Sequence, residues 1–475
     1  MALLIERPRP ARIRESRRGW RLAIAAVCLG AFMGQLDASI AVLTYPALEE
    51  RFHAPAAAVE WVSIGYLLTL IALLVPAGRL ADAHGRKLFY LYGFLVFTLA
   101  SAACGLAPTL SALIGFRLVQ AIGAALLQAN SVALVATSAP RGRLRAALGV
   151  QAGAQAVGLA LGPTLGAVIV TGLGWRWVFL LNVPVGVVAL IAGDFFLPRT
   201  RNRTAVNRFD WPGFALLAVS STALLLAISA ASGLELSGAE AAVSFVVAVA
   251  ASPAFVRRLS RSNSPLVNPA LLRTRGTALG LAGALGGYLV LFGPLVLVPA
   301  VLTARGDSLS LAGLVLTALP AGFAVAALAA DRILPRGWTD RRRALAGAAL
   351  ALSALLALFA LLALLALFVD GAGSDFPAVL AVLLALLGLG LGVFAPANNA
   401  LIMAAIPRGT EATGGGLVNM AHALGTALGV ALVTLSLHQG SHSGGTAAAV
   451  LALIATAVLI VTVASGGGAH RDSSR

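Results

Sequence analysis

The stretch GRLADAHGRK spans Gly78–Lys87 and lies between two long apolar runs. Glycine at Gly78 and Gly85 permits a close approach between helices and a sharp reversal of the chain. The acid within it, Asp82, can accept hydrogen bonds from the positive N-terminus of a neighbouring helix. The stretch therefore predicts a tight, basic turn that joins two membrane spans.

The apolar runs on either side of this turn recur along the whole chain. Of its 475 residues, 59% are hydrophobic and 11% are charged, and the mean hydropathy is +0.92. Soluble domains are about 25% charged. Runs of about 20 apolar residues cross a bilayer as helices, whereas barrel strands would be about 10 residues long with alternating polarity. The composition predicts an all-α integral membrane protein.

Apolar runs bounded by charge, Gly or Pro define the predicted spans. We predict fourteen of them, at 21–45, 57–81, 88–107, 109–137, 145–171, 176–197, 211–232, 238–256, 276–303, 309–332, 343–369, 376–405, 411–438 and 445–464.

The basic residues predict the orientation of these spans. The chain carries 34 Lys+Arg against 18 Asp+Glu. With fourteen spans, 30 of the 34 fall on the side of the N-terminus and three on the other, and Arg117 lies within a span. Basic connectors stay in the cytoplasm, so both termini are expected there. The placement of basic residues in cytoplasmic connectors also accounts for the net charge of +16, so this charge does not indicate nucleic-acid binding.

Connector lengths predict a plan of six, two and six spans. Basic connectors flank a compact hairpin, and removing that hairpin leaves two six-span halves, as in carriers built from paired repeats. The predicted domains are a basic cytoplasmic N-tail (1–20), an N-terminal six-helix bundle (21–197), connectors with two inserted helices (198–275, helices 211–232 and 238–256), a C-terminal six-helix bundle (276–464) and a cytoplasmic tail (465–475).

Two ionisable residues lie deep within predicted spans. Asp37 lies about two-thirds of the way along the first span, and Arg117 enters the fourth span at a similar depth. A charge inside a membrane is costly and marks a functional candidate. We expect the two side chains to face one another across a central cavity. The alternative is a buried ion pair that only fixes the register of the helices.

Several motifs together carry a family resemblance. GRLADAHGRK resembles the G-x-L-a-D-r-x-G-r-[KR] signature of the major facilitator superfamily, through Gly78, Asp82, Gly85, Arg86 and Lys87, with Ala83 where Arg is common. RLVQAIGAA at 117–125 resembles R-x-x-Q-G-x-G-a-A. In the fifth span, the antiporter pattern g-x-x-x-G-P-x-x-G is matched by Gly158, Gly162, Pro163 and Gly166.

Two further stretches resemble the fourteen-span drug:H⁺ antiporters of that superfamily. LDASIAVLTYPAL at 36–48 is similar to L-D-x-T-I-V-N-V-A-L-P, and WRWVFLLNVPVG at 175–186 is similar to W-R-W-i-F-x-I-N-v-P-x-G. The resemblance implies the major facilitator fold and a conformational latch at the 78–87 turn. It also implies export, with Asp37 and Arg117 in proton coupling.

The expected activity is proton-coupled export of hydrophobic or amphipathic drugs or metabolites by a monomeric carrier. We expect no enzymatic activity, cofactor, metal or catalytic residue, because motifs for nucleotide binding and hydrolysis are absent from the sequence. The alternatives are uptake or facilitated diffusion on the same fold, and a membrane sensor that does not transport. Candidate polar residues of the cavity are Gln120, Asn398, Asn399, Asn419 and His422, each of which has packing within the membrane as its alternative role.

Overall fold

The computed structural model describes residues 6–16, 18–140, 142–204, 209–231, 237–335, 337–367, 375–439 and 445–464. Within these ranges, fourteen helices are long and apolar enough to cross a membrane, and the regular secondary structure is helical throughout. The predicted all-α, fourteen-span fold is confirmed.

The observed helices follow the predicted spans closely. In chain order they are Gly19–Phe52, Ala56–His84, Arg86–Gly105, Leu110–Ser138, Leu144–Gly172, Arg176–Phe196, Trp211–Ala230, Gly238–Arg261, Arg275–Ala304, Ser310–Ile333, Asp340–Leu364, Phe376–Ala405, Glu411–Leu437 and Thr446–Ala464.

The first and eighth helices extend beyond their predicted ends. In the first, a 3₁₀ turn at Val42–Thr44 leads into a short helix, Tyr45–Phe52, whose first turn holds Pro46. Proline is tolerated there because the first amides of a helix have no partner within it. The eighth continues to Arg261 because basic side chains in a last turn interact favourably with the helix dipole.

The predicted turn at 78–87 is shorter than expected. The second helix continues through Asp82 to His84, and the third begins at Arg86. Gly85 alone breaks the chain, with φ of +129°, a conformation that side-chain-bearing residues rarely adopt. No Gly or Pro stands between Gly78 and Gly85 to end the helix earlier. Asp82 therefore projects from the last turn of a helix and not from a loop.

Packing divides the chain into two compact units. The first comprises Met1–Leu224, Val243–Pro269 and Ile406–Met420, and the second comprises Leu225–Ala242, Ala270–Ala405 and Ala421–Arg475. The start of the thirteenth helix therefore belongs to the first unit. The six, two and six plan stays a prediction, and the proposed tail 465–475 lies outside the described residues.

Candidate functional site

Asp37 lies in a buried polar network of the first unit. Its side chain, only 1% exposed, accepts a hydrogen bond from Arg117 Nη1 on Oδ2 at 2.7 Å. Gln120 Nε2 and Asn182 Nδ2 donate to Oδ1 at 2.9 and 2.8 Å. The first, fourth and sixth helices thus supply one carboxylate and its three donors.

Arg117 is held by several other groups, although its side chain is also 1% exposed. Its Nε donates to the carbonyl of Val62 at 3.1 Å. The guanidinium carbon lies 4.2 Å from the ring centroid of Tyr66, a cation–π geometry. The second helix therefore supplies both an acceptor and an aromatic face to the cation that pairs with Asp37.

Gln120 connects the ion pair to the third helix. Its Oε1 accepts from Arg117 Nη1 at 2.6 Å, and its Nε2 donates to Ser101 Oγ at 2.8 Å as well as to Asp37. Ser101 in turn donates to the carbonyl of Phe97 at 2.7 Å. The amide therefore contacts both members of the ion pair.

The hydrogen-bonding pattern fits an ionised Asp37. All three partners of the carboxylate are N–H donors, and a protonated carboxyl carries a donor of its own that needs an acceptor. A proton on Asp37 would remove the negative charge that pairs with Arg117 and would add an O–H group that needs an acceptor. Arg117 and a proton can serve as alternative countercharges for one buried carboxylate.

The arrangement differs from the sequence-based expectation in two ways. Asp37 and Arg117 are in direct contact at 2.7 Å, so no cavity separates their side chains. Asn182 was also missed as a site residue. It lies within WRWVFLLNVPVG, a motif used only for its resemblance, and a sequence does not show which way a helix is rotated.

The fifth helix approaches the first through its glycines. A Cβ atom on Gly158 would meet the carbonyl of Phe32 at 2.5 Å, and one on Gly162 would overlap the Ser39 side chain. One on Gly166 would meet Leu43 Cδ1 at 2.5 Å. Pro163 lies within the same helix. The antiporter-like pattern therefore provides the space in which the first helix packs beside Asp37.

Substituting Gly162 by Val is expected to displace the first helix and to reduce stability by about 1–3 kcal/mol, the usual cost of overpacking. Thermal unfolding of the purified protein would measure this loss. The matched control is Gly172→Val in the same helix, where a Cβ meets nothing within 4 Å. Equal stability of the two variants would contradict the close packing.

Asp82 binds the N-terminus of the thirteenth helix, which begins at Glu411. Its carboxylate accepts from the backbone amides of Ala412 and Thr413 at 2.9 and 2.8 Å and from the Thr413 hydroxyl at 2.7 Å. A Cβ on Gly78 would overlap the carbonyl of Ala412. Asp82 therefore occupies a helix N-terminus that favours an anion.

The basic side chains of Arg86 and Lys87 are buried and also have partners. Arg86 Nε donates to Asp82 Oδ1 at 2.9 Å, and Arg86 Nη2 pairs with Glu411. Lys87 Nζ donates to the carbonyl of Arg7 at 2.9 Å and lies 3.7 Å from Asp194 Oδ1. The motif thus joins the start of the thirteenth helix to the second and third helices.

The remaining polar candidates separate into two groups. Asn419 donates to the carbonyls of Gln128 and Gly415, at 2.9 and 3.0 Å, and so joins the thirteenth helix to the fourth within the first unit. Asn398, Asn399 and His422 line a recess of the second unit. The described residues contain no cluster of three or more His, Cys, Asp or Glu suited to a metal ion.

Comparison with known proteins agrees with these motifs. The family model described as Major Facilitator Superfamily matches residues 27–374 and 295–473. The uncharacterized transporter YebQ of Escherichia coli is 31% identical over 92% of this chain and 94% of its own. The methylenomycin A resistance protein of Streptomyces coelicolor is 30% identical over 88% of this chain and 86% of its own. The riboflavin transporter RibZ of Clostridioides difficile is 28% identical over 86% of each chain.

A solved structure shares the fold. The human organic anion transporter MFSD10 (TETRAN) superposes with a TM-score of 0.67 at 18% identity, covering 93% of this chain and 99% of its own. Such low identity bears on the fold alone. With the family model matching most of the chain, this protein belongs to the major facilitator superfamily, in its fourteen-span drug:H⁺ antiporter family.

Proposed function

We propose that this transporter exports small hydrophobic or amphipathic compounds in exchange for protons. The observation that carries the proposal is the buried Asp37, whose ionised form is matched by one cation and two amide donors. A carboxylate with a removable countercharge is the group that a proton-driven carrier needs. The relative named for methylenomycin A resistance supports a drug or metabolite as cargo.

In the proposed coupling step, a proton replaces Arg117 as the countercharge of Asp37. Arg117 then keeps its contacts with the Val62 carbonyl and the Tyr66 ring. Gln120 contacts both Asp37 and Arg117. Its hydrogen bonds therefore depend on whether Arg117 or a proton neutralises Asp37. Asn182 acts as a positioning residue, because it orients the carboxylate without carrying charge.

In the proposed conformational step, the contact between Asp82 and the thirteenth helix forms and breaks once in each transport cycle. The contact is strong because an anion meets two free backbone amides at a helix N-terminus. A ligand moves such an equilibrium only by its differential affinity for the two states. The proton and the cargo together would supply this difference in affinity between the two conformational states.

Uptake or facilitated diffusion on the same fold is the second candidate, favoured by the relative named as a riboflavin transporter. Inside-out membrane vesicles distinguish the two directions. Acidifying the vesicle interior should drive accumulation of ethidium, or of a compound identified in a resistance and dye-efflux panel, if the protein is an exporter. Equal uptake with and without the pH gradient would contradict proton-coupled export.

The proposed location is the bacterial inner membrane, with both termini in the cytoplasm and a monomer as the transporting unit. Cysteine labelling tests the orientation after Cys28 and Cys104 have been replaced. Cysteines at Arg201 and Arg257, both exposed, should resist an impermeant thiol reagent added to intact cells. A cysteine at Arg51, on the opposite side, should react. The reverse pattern would overturn the orientation.

A further inference from the structure

The predicted N-tail is basic, yet an acid within it is buried. Glu6 is 6% exposed. Its carboxylate lies beside the break between the second and third helices, where a Cβ on Gly85 would meet Glu6 Oε1 at 2.5 Å. The carbonyl of the next residue, Arg7, accepts from Lys87 Nζ at 2.9 Å. Glu6 and Arg7 therefore dock on the 78–87 motif, and the proposed coupling and conformational steps leave Glu6 without a role.

Glu6 also binds the connector that follows the sixth helix. Its Oε1 accepts from the Thr200 hydroxyl at 2.8 Å, and its Oε2 pairs with Arg203 Nη2 at 2.8 Å. The backbone amide of Leu88 donates to Oε1 at 3.4 Å, and that of Arg86 donates to the Thr200 hydroxyl at 2.9 Å. Both amides belong to the first turn of the third helix, whose positive end favours an acid. Glu6 thus joins the connector to the start of the third helix.

The connector then reaches the start of the thirteenth helix through Thr204. The backbone amide of Thr204 donates to the carbonyl of Asp82 at 3.0 Å, and its hydroxyl donates to the carbonyl of Gly409 at 2.7 Å. The amide of Gly409 donates in turn to Glu411 Oε2 at 2.7 Å, and Glu411 begins the thirteenth helix. Thr204 therefore makes a second contact between the motif and the thirteenth helix, beside that of the Asp82 carboxylate.

The burial of Glu6 explains why the connector stays docked. The Glu6 side chain is 3% exposed, whereas that of Arg203 is 43% exposed. An ion pair with so exposed a partner contributes little by itself. A buried carboxylate that lost its donors would instead pay the full cost of an unsatisfied polar group. The donors from the connector and from the third helix are therefore expected to remain on Glu6 together.

We infer that Glu6 is a positioning residue of the conformational contact, because it holds the connector where Thr204 bridges Asp82 and Gly409. The inference rests on the proposed conformational step and extends it to the N-terminal segment. Two contacts then form and break at the start of the thirteenth helix, one through the Asp82 carboxylate and one through Thr204. Glu6 touches neither the thirteenth helix nor the cargo and acts through the connector.

Hydrogen–deuterium exchange of backbone amides in the purified full-length protein tests this inference. Glu6→Ala should release the connector and accelerate exchange of the Thr204 and Gly409 amides at least about tenfold, because their local opening becomes easier. Glu6→Gln keeps an acceptor oxygen but loses the charge, so its exchange should be intermediate. Arg12→Gln is the control, because Arg12 is exposed in the same segment, and it should exchange as the parent does.

A double variant shows whether Glu6 acts through the connector. Thr204→Val removes the hydroxyl bond to Gly409 and leaves Glu6 intact. The Gly409 amide should exchange equally fast in Thr204→Val and in its combination with Glu6→Ala, because residues that act through one contact are not additive. Additive increases, or an unchanged Gly409 amide in Glu6→Ala, would overturn the inference. So would equal acceleration at Leu113, which packs with Val59 at the other end of the second helix, since that indicates general loss of the fold.

Turnover of ethidium exchange in proteoliposomes gives the functional readout. Glu6→Ala should lower this turnover at least about threefold without changing the equilibrium affinity for ethidium, whereas Arg12→Gln should do neither. Turnover that falls in Asp82→Asn but not in Glu6→Ala would overturn the role of Glu6 and leave the conformational step standing. Turnover unchanged in both variants would overturn the conformational step itself. Amide exchange needs neither cargo nor a pH gradient, so a failure of proton coupling would leave its result intact.

Discussion

Replacing Asp37 by Asn is expected to abolish uphill export driven by a pH gradient, while exchange of labelled for unlabelled cargo continues. Asn cannot take up and release a proton, so the cycle loses its link to the gradient. One proton crossing a potential of 100 mV supplies about 2.3 kcal/mol, enough for a gradient of about 50-fold. Proteoliposomes containing the variant should build up no cargo gradient.

The substitution also leaves Arg117 without its countercharge. Removing one partner of a buried ion pair costs about 3–5 kcal/mol, so the single variant can fail for reasons of folding. The double variant Asp37→Asn with Arg117→Gln restores electrical neutrality at the site. It should fold, exchange cargo and still fail to accumulate it.

Glu50→Gln is the matched control. Glu50 lies in the short helix that ends the first span and is exposed, so its loss should leave uphill export unchanged. Undiminished uphill transport by the Asp37 variants would transfer the coupling role elsewhere, with His422 the next residue to substitute. A loss of cargo exchange in the double variant would instead assign Asp37 to cargo binding.

The fold could be predicted from the sequence because hydropathy and charge act locally. Each span needs about 20 apolar residues and ends near charge or turn residues, and the helix ends at Arg275 and Ala405 fall within a residue of prediction. The pairing of Asp37 with Arg117 followed from comparable depth alone. Depth along a helix can be counted from its ends, so this part of the site was accessible.

The rest of the site depends on helix rotation, which hydropathy does not determine. Each residue turns the helix by about 100°, and small errors in packing move a side chain to another face. The sequence therefore did not reveal that Gln120 hydrogen-bonds to both Arg117 and Asp37. The hydrogen bond from Asn419 to the carbonyl of Gln128 on the fourth helix was equally invisible to hydropathy. The direction of the buried Asn182 likewise depends on the rotation of the sixth helix, Arg176–Phe196.

Asp82→Asn is expected to lower the turnover of cargo exchange at least about tenfold, with little change in equilibrium affinity for the cargo. The carboxylate accepts three hydrogen bonds from the start of the thirteenth helix and one from Arg86. The side-chain amide of Asn would point an N–H group at some of the N–H and O–H groups that now donate to Asp82. Hydrogen bonds to charged groups contribute about 1.5–3 kcal/mol each, and 1.4 kcal/mol corresponds to a factor of ten.

Two substitutions of Thr413 distinguish the loss of its contact with Asp82 from general damage to the fold. Thr413→Val removes only the hydroxyl bond to Asp82, so its turnover should lie between those of the parent and Asp82→Asn. Thr413→Ser keeps the hydroxyl and should behave as the parent. Turnover is measured by exchange in proteoliposomes, and affinity by equilibrium binding in detergent. If affinity fell in proportion to turnover, Asp82 would belong to cargo binding, because a residue that acts on switching should change the rate of the cycle much more than the strength of the bound complex.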